Sequence, residues 1–180
     1  MYDEENVIEQ RLKVIIVGDP GSGKSTVAKG ADICVPFKTL GVSIGKKINM
    51  DRKINYKLTL IFWTLAKNRP KITTYFNGAG AAVIVGDISK KGCIKKMRFW
   101  ADSIQDYVGP IPLFFIGTKK NSKHSRNLEK LADLTNDYNA RYYILTSSLE
   151  SRLKPIFKSI AKLLAKKYYN IIQNSLNNPT

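Results

Sequence analysis

The chain has 180 residues, a length that suits one domain. Its apolar fraction of 43% is ordinary for a packed core and argues against disorder over most of the length, and no apolar run approaches the length needed to cross a bilayer. The net charge is +16, and four acidic residues (Asp3, Glu4, Glu5, Glu9) fall in the first ten, so the rest of the chain carries +20; such a field favours anionic partners without naming one, and richness in Lys, Ile and Asn also follows from genome base composition.

In chain order, the acidic stretch 1–10 reads as an extension with no apolar core, hence not a secretory signal. Arg11 to Val17 reads as the first strand, ending in the buried run Val14-Ile15-Ile16-Val17. Gly18-Asp19-Pro20-Gly21-Ser22-Gly23-Lys24-Ser25 follows and fits the phosphate-cradling pattern G-x-x-x-x-G-K-[ST] at every fixed position. Glycines let backbone N–H groups turn inward around a phosphate, and a helix from about Lys24 to Ala31 adds its positive end. Gly21, Ser22, Gly23, Lys24, Ser25 and Thr26 are therefore the candidate phosphate-binding residues. Lys24 would meet the β- and γ-phosphates, and Ser25 would ligate Mg²⁺.

Residues 32–38, with Pro36, read as a loop. Val42 to Asn49 and Ile54 to Phe62 read as strands joined through Asp51-Arg52-Lys53 as a hairpin. Trp63 to Lys71 reads as irregular, and Ile72 to Asn77 as a helical turn or two. Ala81 to Val85 is a continuous apolar run, as in a strand covered on both faces. Ile94 to Val108 has helical spacing, Ile111 to Ile116 is another buried strand, and Asn127 to Asp137 reads as a helix. Tyr142 to Leu145 is a last strand, and a long helix runs from about Ser151 to Gln173. This order predicts an α/β domain over 11–175 with a mostly parallel sheet and one antiparallel edge strand, then a short tail, 176–180. Ligands in such sheets bind outside the carboxyl ends of the strands, so loops after the other strands should converge on the phosphate loop. Cys34 and Cys93 show no metal spacing and suit a reducing compartment.

Those loops carry a resemblance. Thr39-Leu40-Gly41-Val42-Ser43 is similar to the T-I-G-V-D segment of Rab-type small GTPases, and Tyr75-Phe76-Asn77-Gly78-Ala79 to their Y-Y-R-G-A. Gly86-Asp87 resembles the end of the strand that follows. Gly117-Thr118-Lys119-Lys120-Asn121 sits where that family has its G-N-K-x-D base-recognition loop, and Thr146-Ser147-Ser148 resembles its T-S-A loop. The resemblance runs from about Lys13 to Tyr168 and implies a P-loop, small-GTPase-like three-layer fold. It implies Mg²⁺ with GTP or GDP as the bound group, Ser25 and Thr39 at the metal, and Thr118, Lys119, Asn121, Ser147 and Ser148 around the base. It further implies a protein effector or regulator that engages the segments around Thr39 and Trp63.

The departures from that pattern bear on turnover. The family's D-T-A-G-Q aligns with Trp63-Thr64-Leu65-Ala66-Lys67. Trp63 replaces the aspartate that helps to hold Mg²⁺ through water, and Ala66 replaces a glycine whose N–H meets the γ-phosphate. Lys67 replaces the glutamine that orients the attacking water; an ammonium donates but cannot accept. Asn121 replaces an aspartate that accepts twice from guanine, so weaker guanine preference, with tolerance of xanthine, is expected. The segment from Ser25 to Thr39 is shorter than in the family by about four residues, which leaves Phe37 as the aromatic candidate over the base.

Lys154, Lys158, Lys162 and Lys166 recur along one side of the last helix. A solvated face is one reading; contact with an anionic membrane or an acidic partner is the other. No prenylation cysteine ends the sequence, and Tyr2 does not suit myristoylation. The leading expectation is a cytoplasmic, monomeric, Rab-like guanine-nucleotide switch of the GTPase type with weak or absent intrinsic hydrolysis, peripheral at a membrane without a prenyl anchor. The alternatives are a pseudo-GTPase scaffold holding nucleotide permanently or not at all, a small-molecule kinase drawing on Arg69 or Arg126, and a nucleic-acid binder. No array of aromatic and basic residues resembles a nucleic-acid module, so the last is not expected.

Overall fold

The computed structural model describes residues 7–30, 42–51, 55–65, 72–120, 125–146 and 150–177. Six strands form one sheet: β1 (Ile8–Val17), β2 (Val42–Asp51), β3 (Tyr56–Leu65), β4 (Ala79–Asp87), β5 (Leu113–Lys120) and β6 (Arg141–Thr146). The spatial order is β2-β3-β1-β4-β5-β6, with β2 antiparallel to β3 and every other pairing parallel. α1 (Lys24–Gly30) and α4 (Glu150–Asn177) cover one face, where Val27, Ala28, Leu153, Phe157, Ile160 and Leu164 pack on Val14, Ile16 and Phe62. α2 (Cys93–Val108) covers the other face together with α3 (Ser125–Asp137), over Ile15, Val17, Ile84 and Phe115. The expected α/β fold with one antiparallel edge strand is the fold observed.

The central strands are the ones whose sequence is apolar without alternation. Val14 to Val17 and Ala81 to Ile84 are fully buried because helices lie on both sides of them. Side chains alternate between faces, so Val14 and Ile16 serve one core and Ile15 and Val17 the other.

Two strand limits differ from expectation. β1 begins at Ile8, not Arg11, and Ile8 to Gln10 pair with Tyr56 to Leu58. Side chains reinforce the seam: the Tyr56 hydroxyl donates to Gln10 Oε1 at 2.5 Å, and Lys57 pairs with Glu9 at 2.5 Å. β3 runs through Trp63, Thr64 and Leu65, which had read as irregular; they pair with Ile44, Ser43 and Val42 of β2. Trp63 and Leu65 face the α2 side, and this β-prone triplet continues the alternation begun at Tyr56. Asp51 is the last residue of β2, and the remainder of the expected hairpin turn lies outside the described residues, as do residues 66–71. The helical turn after them is a 3₁₀ helix, Ile72–Phe76.

A phosphate-loop site at the carboxyl edge of the sheet

The site begins where β1 ends. Gly18, Gly21 and Gly23 have φ of 147°, 73° and 93°, conformations that L side chains rarely adopt. At Gly18 a Cβ would lie 2.1 Å from the Val85 carbonyl oxygen of β4, so only glycine fits there. At Gly21 a Cβ would meet only the Lys90 ammonium, at 3.8 Å, so φ rather than space is what calls for glycine there. The Ser22 N–H donates to the Asp19 carbonyl at 3.1 Å, and the Val27 N–H to the Gly23 carbonyl at 2.9 Å. The N–H groups that open α1 have no acceptor within the helix. Lys24 folds back across the bend and donates to the carbonyls of Gly18 at 2.7 Å and Asp19 at 2.9 Å. Ser25 and Thr26 are exposed at the start of α1.

Neighbouring elements hold this bend in place. The buried Thr118 hydroxyl, at the end of β5, lies 2.7 Å from the Ser22 carbonyl and 3.2 Å from the Gly86 carbonyl; its single proton serves one at a time. Asp19 Oδ2 pairs with Lys96 at 2.7 Å, and the Trp100 indole N–H donates to Oδ1 at 3.3 Å. The Asp19 carboxylate thereby ties the loop to α2 and raises the Lys96 pKa through that hydrogen bond and its charge. Asp87 is buried and accepts from the Ser89 N–H at 3.1 Å and the Ser89 hydroxyl at 2.6 Å, which shapes the turn after β4. A cavity of about 80 Å³ separates the loop from α2, lined by Asp19, Ser22, Asp87, Lys90, Cys93 and Trp100 among others. Burial, reinforced by Asp87 and Asp19, pushes the Cys93 thiol up to about 11, so it is protonated at neutral pH.

A model of the Ras family matches residues 13–166. The chain belongs to the Ras family. Rab-type proteins are among its relatives. The ras-related protein Rab-5B of Dictyostelium discoideum is 24% identical over 176 residues, covering 92% of this chain and 81% of that relative. Rab-11C of the same organism is 28% identical over 176 residues, covering 92% and 76%. RABA1c of Arabidopsis thaliana is 22% identical over 194 residues, covering 99% and 88%. The chain is accordingly a Rab-like small GTP-binding protein by family.

Within this Ras-family fold, Gly21 to Thr26 form one continuous cradle. Thr118 stands beside it, with its hydroxyl on the loop backbone. Lys119 follows in β5; Thr39, Asn121, Ser147 and Ser148 lie outside the described residues. Trp63 lies on the α2 face of β3, with the Lys13 ammonium 4.3 Å from its ring centroid. Lys13 donates to the Asn77 carbonyl at 2.8 Å, and partial burial lowers its pKa. Sequence reasoning missed Lys90, Lys96 and Trp100. Lys90 had a signal, since it follows the carboxyl end of β4 where ligands gather; Lys96 and Trp100 had none.

The residues present suit a polyphosphate: a glycine bend that carries the Lys24 ammonium on its own carbonyls, with the Lys90 ammonium, 3.9 Å from Asp87 Oδ2, near Gly21. For Mg²⁺ the fit is partial and specific. Among the described residues no group of three or more His, Cys, Asp or Glu could hold a metal, and the Ser25 hydroxyl would be the described ligand, beside phosphate oxygens and water.

Proposed function

We propose that this protein is a Mg²⁺-dependent guanine-nucleotide switch with weak or absent intrinsic hydrolysis. The observation that supports binding most strongly is the preformed phosphate loop, held by Lys24 inside and by Thr118, Lys96 and Trp100 outside. A preorganised set of donors loses little freedom on meeting charge. Mg²⁺, when bound through Ser25 and Thr39, supplies charge neutralisation between the phosphates. Lys24 supplies the same to the β- and γ-oxygens, and the loop N–H groups orient them. Thr118, Lys119, Asn121, Ser147 and Ser148 surround the base, and the segments around Thr39 and Trp63 meet an effector or regulator.

Weak turnover follows from Trp63. An indole packed beside Lys13 offers no carboxylate for metal-bound water. Lys67, in the place of a water-orienting glutamine, donates without accepting. The same two residues favour a second reading, a scaffold that holds nucleotide without cycling it. Single-turnover assays with γ-labelled GTP decide the rate: hydrolysis no faster than about 10⁻⁴ s⁻¹ is expected, at or below the unassisted rate of a small GTPase. A rate on the order of 1 s⁻¹ without a partner contradicts the proposal. Nucleotide-dependent capture of partners separates the switch from the scaffold.

A further inference from the structure

We propose that the exposed side of α4 docks this protein on an anionic lipid bilayer. Lys154, Lys158, Lys162 and Lys166 are all exposed and recur at four-residue steps. At about 100° and 1.5 Å per residue they fall within an arc of about 120° along about 18 Å of helix. Leu153, Phe157, Ile160 and Leu164 are buried against the sheet, which fixes the helix rotation and keeps the lysines outward.

α4 carries one acidic residue, Glu150 at its start, against Arg152, Lys154, Lys158, Lys162, Lys166 and Lys167. Across the sheet, α2 and α3 carry Asp102, Asp106, Glu129, Asp133 and Asp137 against Lys95, Lys96, Arg98, Arg126 and Lys130, and so are neutral as a pair. Among the described residues no ion pair involves Lys158, Lys162, Lys166 or Lys167. The molecule is thus polarised across its own sheet, positive at α4. The cleft of about 230 Å³ that Arg141 and Lys167 border lies on another flank of α4, about 100° round from Lys166, and is not part of this surface.

A plane of headgroups fits this surface better than a protein or a nucleic acid does. Lysine is a mobile point charge without the fork that reads one partner's geometry. The aromatic residues of α4 are not exposed, so no stacking platform for bases accompanies the row. Docking through α4 also leaves the phosphate loop, at the carboxyl edge of the sheet, open to nucleotide and partners. The inference does not depend on nucleotide binding, and its test is run with and without nucleotide.

The full chain is cosedimented with phosphatidylcholine vesicles, with and without phosphatidylserine, at physiological salt. Binding only to the anionic vesicles is expected, with about a hundred-fold loss in the variant K158Q/K162Q/K166Q, at roughly a factor of five per lysine. The variant K46Q/K95Q/K130Q, with the same net charge but exposed lysines elsewhere, should bind within about three-fold of the parent, since those charges sit away from the lipid. Circular dichroism confirms that both variants fold. Equal loss in the two variants, retained binding in the α4 variant, or binding to polyuridylate in place of vesicles overturns the proposal.

Discussion

Lys24 is placed by two backbone carbonyls, those of Gly18 and Asp19, rather than by packing. Its removal deletes a charge from the cradle and two hydrogen bonds from the loop. We expect Lys24→Ala to weaken Mg–nucleotide binding at least ten- to hundred-fold, the range of a charge-assisted hydrogen bond, and to lower stability in urea by about 1–3 kcal/mol. Gly18 acts differently. A methyl there meets the Val85 carbonyl at 2.1 Å in a backbone conformation hostile to side chains. Gly18→Ala should cost about 3 kcal/mol of stability by urea denaturation, and lose binding only as a consequence of that distortion. The glycines and Lys24 were legible in the sequence because a phosphate loop is local: eight consecutive residues carry the whole pattern. Asp19, Lys96 and Trp100 were not, because their meeting depends on α2 crossing beside the loop.

At the level of elements, the seam between β1 and β3 is longer than its sequence suggests. Its start is polar, Ile8-Glu9-Gln10, and carries no hydrophobic alternation to read. Partner side chains stabilise it instead, above all Tyr56, which is fully buried, donates to Gln10 and meets the Tyr169 ring edge-on at 5.4 Å. Burial, with a smaller contribution from Tyr168, pushes the Tyr56 hydroxyl up to about 12. The folded state therefore favours the neutral phenol. That stabilisation is complete below the unfolded pKa near 10 and is lost as pH rises toward about 12. Tyr56→Phe should cost about 1 kcal/mol at pH 7, for the lost hydrogen bond. The same variant should show a shallower fall in stability between pH 10 and 12 than the parent, measured by urea unfolding at each pH. Parallel falls would show that Tyr56 does not titrate with unfolding. The interior strands β4 and β5 and the helices α2 and α3 were readable because burial on both faces, or a single apolar stripe, writes itself into the sequence. The end of β3 was hidden by Trp63, a large residue at the strand's open end whose packing partner, Lys13, lies on another strand.

At the scale of the whole molecule, the sheet separates three surfaces. Its carboxyl edge carries the phosphate loop, one face carries α4 with its lysines, and the other carries α2 and α3 with most of the described acidic side chains. The net charge of +16 is in this way distributed rather than uniform. Its sign was plain from composition, but its placement required the helix rotation that Leu153, Phe157 and Ile160 set. No helix among the described residues is long and apolar enough to cross a membrane. The proposed switch depends on the bend between β1 and α1 holding a nucleotide. Isothermal titration of the parent and Lys24→Ala with Mg–GTP and Mg–GDP tests this most directly. The account predicts saturable, one-to-one heat with the parent and a severe weakening in the variant. The absence of heat with either nucleotide, or identical isotherms for the two proteins, contradicts it.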